Sequence, residues 1–143
     1  MLSLTCKTAI KAVIYLSSRT DPEDRPGIRE IATAINANEH TVGKLLQTLV
    51  KQNVINSIKG PSGGFYISGT QQKLPIMTII EAIDGTSLFT GCGLGLSKCS
   101  ASHPCPIHNE YQEGKKLLEK LFCTRRIVDL RSTVSSGAAF LTG

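Results

Sequence analysis

The chain has 143 residues, with 16 lysines and arginines against 11 acidic residues, which gives a formal net charge of +5. This length is enough to bury one hydrophobic core, with or without an appendage. No apolar run approaches the ~18 residues of a membrane span, and the first residues lack the pattern of a secretory signal. We therefore expect a cytoplasmic protein without a membrane partner.

The charge of the first half points to a type of partner. Nine basic and five acidic residues precede residue 74, so a polyanion such as DNA is compatible with that half. A basic globular protein without such a partner has the same balance. The chain has no Trp and few aromatic residues, which argues against a base-stacking platform for single-stranded nucleic acid.

Apolar residues recur at helical spacing from Leu4 to Ser17 and predict a first helix. Cys6 lies on the apolar stripe of this helix, so core packing is favoured over metal ligation for its thiol. The chain has five cysteines. In a reducing compartment, an odd number of cysteines favours metal ligands, redox groups or core residues over a disulfide framework.

Two short helical patterns follow, from Ile28 to Ile35 and from Val42 to Leu49, and Asn38 between them is a good N-cap. Two helices joined by about three residues form a helix-turn-helix, whose second helix can enter the major groove of DNA. Its outward polar side chains could contact base edges and phosphates: His40, Thr41, Lys44, Gln47, Thr48 and Lys51. A solvated helix face without a DNA partner has a similar composition.

A Gly-rich turn lies between two runs of β-forming residues, 54–59 and 65–68. This pattern predicts a β-hairpin, and a hairpin directly after a helix-turn-helix is a wing. Its glycines would let backbone N–H groups approach phosphates, and its lysine adds positive charge. The candidate DNA contacts of the wing are Lys59, Ser62, Gly63 and Gly64. An ordinary tight hairpin is the alternative interpretation.

The pattern from Ile76 to Ile83 predicts a helix with Pro75 in its first turn, which ends at Gly85 and packs against the first helix. A longer helix is predicted beyond residue 106, with an apolar seam that suggests a two-fold dimer. The seam residues are Ile107, Tyr111, Gly114, Leu118 and Leu121, widened by Leu117 and Phe122. The expected fold is mainly α with a small β-hairpin. The expected division is a winged helix-turn-helix domain (1–85), a cysteine-rich loop (86–105), dimerisation helices (106–131) and a flexible tail (132–143).

The cysteine-rich loop carries the pattern Cys92-x6-Cys99-x5-Cys105-x2-His108. Three thiolates and one imidazole can form a tetrahedral zinc site. The pattern has no closely spaced cysteine pair of the kind that structural zinc sites use, and its wide spacings in a flexible loop suit an iron-sulfur cluster. His103 is an alternative fourth ligand. We prefer His108, because it should lie at the start of the long helix and be held in place by that helix.

Two further interpretations of this loop are a cluster-free thiol switch and cysteines without a role. No general base or orienting acid accompanies the cysteines, so a catalytic cysteine is disfavoured. We expect neither an enzyme nor a small-molecule substrate.

The Leu4-Thr5 opening, the KGPSGGF motif from Lys59 to Phe65 and the three spaced cysteines before a long helix resemble the Rrf-type bacterial transcription regulators. The resemblance covers residues 2–131 and extends to the iron-sulfur branch of the family, which includes IscR, NsrR and RirA. It implies a homodimer that binds promoter DNA through residues 39–53 and the wing. It also implies a 2Fe-2S or 4Fe-4S cluster on Cys92, Cys99 and Cys105.

Two positions refine this resemblance. IscR-like members use a histidine three residues after the last cysteine, which His108 matches, whereas NsrR-like members use an acid near the start of the first helix. Residues 5–10 contain no acid, so the IscR-like ligand set is favoured. Gly43 stands where IscR relatives tend to have a glutamate, so the resemblance does not carry over their target sequences.

The expected function is a dimeric transcriptional regulator whose affinity for promoter DNA is controlled by a cluster that senses iron, redox or nitric oxide status. The alternatives are a cluster-free thiol-responsive or structural winged-helix regulator and an iron-sulfur carrier. A carrier has no need of the wing or the helix pair.

Overall fold

The computed structural model describes all 143 residues and is mainly helical with one two-stranded hairpin, as predicted. The helices are α1 (Leu4–Ser18), α2 (Ile28–Ala34), α3 (Glu39–Lys51), α4 (Gly69–Gln72), α5 (Ile76–Ile83), α6 (Ser87–Thr90), α7 (His108–Thr124) and α8 (Ile127–Ser135); the strands are β1 (Asn56–Ile58) and β2 (Gly64–Tyr66). The one-turn helices α4 and α6 were not predicted. None of the helices combines the length and the apolar character that a membrane crossing requires.

The main core contains 15 buried residues, drawn mostly from the winged-helix half. α1 lies at its centre and packs against α2, α3, α5 and α8. The burial of Cys6 was predicted and is confirmed, since this residue is fully buried beside Ile76 and Ile80. Burial, reinforced by the nearby Asp84 carboxylate, raises the pKa of the Cys6 thiol to about 12.

The helix-turn-helix forms as its capping residues predict. The Asn38 side chain accepts a hydrogen bond from the Thr41 N–H group at 3.1 Å, which satisfies a free donor of the first turn of α3. Asn36 in the turn has a φ of 53°, a left-handed conformation that Asn tolerates. α3 buries Val42, Leu45, Leu46 and Leu49, and it ends at Lys51, within the segment 39–53 that the resemblance implies as the DNA-reading helix.

The wing is an antiparallel pair in which Ser57 lies opposite Phe65 and Ile58 opposite Gly64. Its turn requires glycine, because a Cβ at Gly63 would lie 2.1 Å from the Ile58 carbonyl oxygen. The buried Gln71 of α4 fixes the base of the wing. Its amide exchanges two hydrogen bonds with the Asn56 amide, at 2.9 and 3.1 Å, and donates a third to the Asn53 carbonyl at the end of α3.

The C-terminal part of the chain returns to the winged-helix half. The Ile127 N–H group donates to the Leu74 carbonyl at 3.0 Å, and the Ile76 N–H group donates to the Arg125 carbonyl at the same distance. Ile127 is fully buried in the main core, and α8 packs on α1. α8 continues to Ser135, so regular structure extends four residues past the predicted limit of 131.

The predicted seam of α7 divides into two faces. Tyr111 contacts the cysteine loop, and Phe122 packs edge-to-face on Phe89 of α6 with ring centroids 6.2 Å apart. These two residues therefore face their own chain, because α6 and the loop return onto α7. An outer stripe remains exposed and consists of Ile107, Gly114, Leu117 and Leu121.

Candidate metal centre and nucleic-acid interface

The loop from Gly91 to Ile107 joins α6 to α7 and contains the three predicted cysteine ligands. It has little regular structure, and Cys105 is its only buried side chain. The His108 N–H group donates to the Cys105 carbonyl at 3.1 Å, which ties the last cysteine to the first turn of α7. The helix therefore fixes one end of the loop.

The three sulfur atoms converge although their residues are far apart in sequence. The Sγ atoms of Cys92, Cys99 and Cys105 all lie within 4.8 Å of one another. Cys92 Sγ is 3.7 Å from Cys105 Sγ, and Cys99 Sγ is 3.2 Å from His108 Nδ1. All four residues line one cavity of about 30 Å³. The structure thus brings together the four residues that were predicted as ligands.

His103, the alternative fourth ligand, lies elsewhere in the loop. It forms a small turn with Ser100, in which each backbone N–H group donates to the other residue's carbonyl at 3.1 to 3.2 Å. Its side chain is exposed and does not line the cysteine cavity. The arrangement favours His108 over His103.

The chemistry of the site suits a metal that prefers sulfur. Backbone N–H groups of Leu96 and Leu94 stabilise the Cys92 thiolate and lower its pKa to about 7, whereas burial raises the pKa of Cys105. Two thiolates on one tetrahedral metal atom lie about 3.8 Å apart, given metal–sulfur bonds near 2.3 Å, and the Cys92–Cys105 separation matches this value. The donor set fits either a zinc ion or the iron atoms of a cluster.

Two residues of α7 belong to this site and were missed from the sequence. Tyr111 and Lys115 line the same cavity, and the Lys115 ammonium donates to the Gly91 carbonyl at 2.8 Å. The apolar spacing of the sequence predicts Tyr111 on the dimer seam. Lys115 carried no signal, because a lysine among other polar residues of a helix is usually solvated.

The predicted DNA-contacting residues of α3 lie on its exposed side. His40, Lys44, Gln47 and Lys51 are exposed. Thr41 and Thr48 are half-buried, and the Thr48 hydroxyl donates to the Lys44 carbonyl at 3.2 Å. An open groove runs along the start of α3 beside Ile28 of α2, lined by Asn38, Glu39, His40, Gly43, Lys44 and Gln47.

The acidic residue on this surface has a basic neighbour. Glu39, the one acidic residue at the start of α3, pairs with Arg29 of α2 at 3.5 Å. Arg29 was not singled out in the sequence. In the wing, Lys59 and Ser62 are exposed, while Gly63 and Gly64 are half-buried.

Sequence comparisons identify relatives over nearly the whole chain. The Rrf2 family, described as an iron-dependent transcriptional regulator, matches residues 2–132. An HTH-type transcriptional regulator of Aquifex aeolicus (strain VF5) is 31% identical over 132 residues, which cover 91% of this chain and 90% of that protein.

Two solved structures are similar in fold. CymR, the global cysteine regulator of B. subtilis, has a TM-score of 0.75 at 17% identity, over 92% of this chain and 96% of its own. T. potens IscR has a TM-score of 0.73 at 16% identity, over 98% of this chain and 92% of its own. These likenesses concern the fold. The family match carries more: the chain is a DNA-binding transcriptional regulator and not an enzyme, and it belongs to the Rrf2 family.

Proposed function

We propose that this regulator is a homodimer whose affinity for promoter DNA is controlled by an iron-sulfur cluster on Cys92, Cys99, Cys105 and His108. The observation that carries the proposal is the convergence of three sulfur atoms within 4.8 Å, with His108 Nδ1 3.2 Å from one of them. The iron-dependent description of the family supports the choice of metal. When bound, a cluster would supply redox chemistry and sensitivity to iron supply or nitric oxide.

The proposed switch works through α7. Cys105 and His108 adjoin its first turn, while Phe122 near its end packs on Phe89 and joins the second apolar cluster with Cys6 and Ile80. Ordering of the loop would shift the population of α7 positions and, through them, the spacing of the two DNA-binding heads. α7 therefore connects the metal site both to the winged-helix half and to the proposed dimer interface.

The direct test compares promoter DNA affinity of the anaerobic, cluster-loaded protein with that of the metal-free protein. The DNA is an operator selected from random sequence by the loaded protein. A coupling of the usual size would change the dissociation constant about 5- to 150-fold. Equal affinities would remove the switch from the proposal.

Ligand identity is tested with matched cysteine variants. Cys99→Ala should lose iron and visible absorption while it stays folded, whereas Cys123→Ala should keep both, because Cys123 is exposed and distant in sequence from the loop. Iron and sulfide analysis of the anaerobic wild type gives the cluster type. If the protein is colourless and contains zinc but no iron, the proposed cluster is wrong and the four residues form a zinc site.

We propose that DNA is contacted by the exposed residues of α3 and by the wing. The basic groups are Lys44, Lys51 and Lys59, all exposed. If Lys44 contacts a phosphate, Lys44→Gln should weaken binding and reduce the steepness of log K against log salt by about 2, because the proposed dimer carries two copies of Lys44. Lys73→Gln makes the same charge change at an exposed position outside the proposed interface and should leave the slope unchanged.

We propose that the outer stripe of α7 forms the two-fold interface. Leu117 is 71% exposed and Leu121 47% exposed, one helical turn apart. Apolar side chains at this spacing on the exposed face of a helix suit a second copy of the same helix. Leu117→Glu should shift the mass measured by light scattering from dimer to monomer, and Thr70→Glu, an exposed position of α4, should not.

A second candidate is a cluster-free thiol-responsive regulator. The 3.7 Å contact between Cys92 Sγ and Cys105 Sγ favours it. Oxidation by oxygen or peroxide would then join these two sulfurs with loss of two protons and two electrons. Iron content and the response to oxidant distinguish the two candidate functions. The thiol switch predicts an iron-free protein whose DNA affinity changes with oxidant and is restored by a thiol reductant.

A further inference from the structure

Lys115 is an unusual residue in this fold because it is charged, buried and without an acidic partner. Its side chain is only 6% exposed, whereas the neighbouring Lys116 is largely solvated. Lys116 pairs with Glu113 at 3.0 Å, and none of the ion pairs in the structure includes Lys115. A buried ammonium without a counter-charge is strongly disfavoured in a folded protein.

The contacts of Lys115 lead to the cysteine site. Its Nζ atom donates to the Gly91 carbonyl at 2.8 Å and lies 5.5 Å from the centroid of the Tyr111 ring. An ammonium has three N–H donors, and this one carbonyl satisfies one of them. The same side chain lines the cavity that Cys92, Cys99, Cys105 and His108 surround.

We propose that Lys115 is a positioning residue of the metal site, which fixes the start of the cysteine loop on α7 and supplies the positive charge that balances the thiolate ligands. The proposal rests on the proposed function in that it takes the four residues as ligands. It adds a group outside the ligand set that controls how strongly the site holds its metal and at what potential a cluster is reduced.

The positioning part follows from the packing around Cys92. Gly91 is held by Lys115, and a Cβ at Gly93 would lie 2.8 Å from the Tyr111 ring. Both residues flanking Cys92 therefore lie directly against α7. Tyr111 and Lys115 are four residues apart and form one patch on the helix. The first ligand is thus placed by two side chains of a helix that begins sixteen residues later in the chain.

The metal site carries a net negative charge when it is loaded. Three thiolates with one dication, or with an oxidised 2Fe-2S core of charge +2, leave a net charge of −1 at the site, and reduction of a cluster by one electron makes it −2. A cation in the same cavity is attracted to this negative charge and stabilises the loaded site, and it stabilises the more negative reduced state further. Removal of this cation should weaken metal binding and make reduction harder.

The experiment compares Lys115→Met with Lys115→Arg and with Lys116→Met. Methionine fills the buried space without charge, arginine restores the charge, and the Lys116 variant removes one charge from the adjacent, exposed position. Cobalt(II) titration of the metal-free protein, followed by its visible absorption, measures thiolate-site affinity without any cluster. We expect Lys115→Met to bind cobalt at least tenfold more weakly, Lys115→Arg to recover most of the loss, and Lys116→Met to match the wild type.

In cluster-loaded protein, Lys115→Met should shift the reduction equilibrium tenfold or more toward the oxidised state, which is 59 mV for a one-electron couple. Circular dichroism confirms that each variant is folded. Unchanged cobalt affinity in folded Lys115→Met would overturn the proposal, as would a loss that arginine does not recover. A wild type that binds cobalt in this Lys115-dependent way but never holds iron would refute the proposed cluster and leave the role of Lys115 intact.

Discussion

The winged-helix half and the cysteine loop differ in what holds them in place. The main core buries 15 residues from five helices and the segment between α3 and the wing, whereas the loop from Gly91 to Ile107 buries only Cys105 and leaves Leu94 and Leu96 about half exposed. The first region is stabilised by its own hydrophobic packing. The second is held at its ends by α7, and a shared metal centre would supply the constraint that packing does not.

The largest contrast should appear when one leucine is shortened in each region. Leu46 of α3 is fully buried in the core, and Leu94 is 53% exposed. Leu46→Ala should lower the free energy of unfolding by about 2–5 kcal/mol because it leaves a cavity, while Leu94→Ala should change it by less than ~0.5 kcal/mol. Urea denaturation measures both, and similar losses would mean that the loop contributes to the same core.

A smaller effect is expected from the wing turn. Gly63→Ala forces a Cβ to within 2.1 Å of the Ile58 carbonyl oxygen, so the hairpin must distort. We expect a loss of about 1–3 kcal/mol in the free energy of unfolding, together with weaker DNA binding. Gly69→Ala is the control, since nothing lies within 4 Å of its Cβ position. Normal DNA affinity in Gly63→Ala would argue against the wing as a DNA contact.

Metal removal should act locally. The metal-free protein should keep its helical circular dichroism, because the core contains none of the four proposed ligands. Hydrogen exchange of the amides of residues 92–105 should accelerate as the loop loses its constraint, while those around Leu46 stay protected. Unfolding of the whole chain on chelation would instead indicate a structural metal.

The smallest effect at neutral pH concerns Cys6. Its pKa of about 12 in the folded protein exceeds the ordinary value of 9.0, so folding favours the neutral thiol. The contribution of the neutral Cys6 thiol to the free energy of unfolding is fully present below about pH 9 and is lost as the pH rises from 9 toward 12. Between pH 8 and pH 10.5, the free energy of unfolding should therefore decrease more steeply with pH for the wild type than for Cys6→Ala.

Native-state thiol labelling gives an independent check of the same residue. Cys123 is exposed and should react with a thiol reagent in the folded protein, whereas Cys6 should react only on unfolding. The pH comparison needs the Cys6→Ala reference because the pKa of Tyr15 is also raised by burial and contributes in the same direction. Equal pH profiles for the two proteins would show that Cys6 is ionised in the folded state at lower pH than its burial implies.

The local parts of this protein were determined by its sequence. α1, α3 and the wing depend on residues a few positions apart: apolar spacing, the Asn38 cap and the glycines of the turn. The four residues now found around one cavity were also predicted, because their chemistry marks them even in a loop without regular structure. For these features, the information lies within a short window of the chain.

The tertiary structure alone decided which face of α7 is inward and where the chain goes afterwards. Spacing made Tyr111, Leu117 and Phe122 equivalent apolar residues, and only the return of α6 and the loop onto the helix separates them. The burial of Lys115 and of Ile127 has the same origin. Helical periodicity identifies an apolar face but not its partner, because that partner is contributed by segments distant in sequence, whose positions depend on the packing of the whole chain.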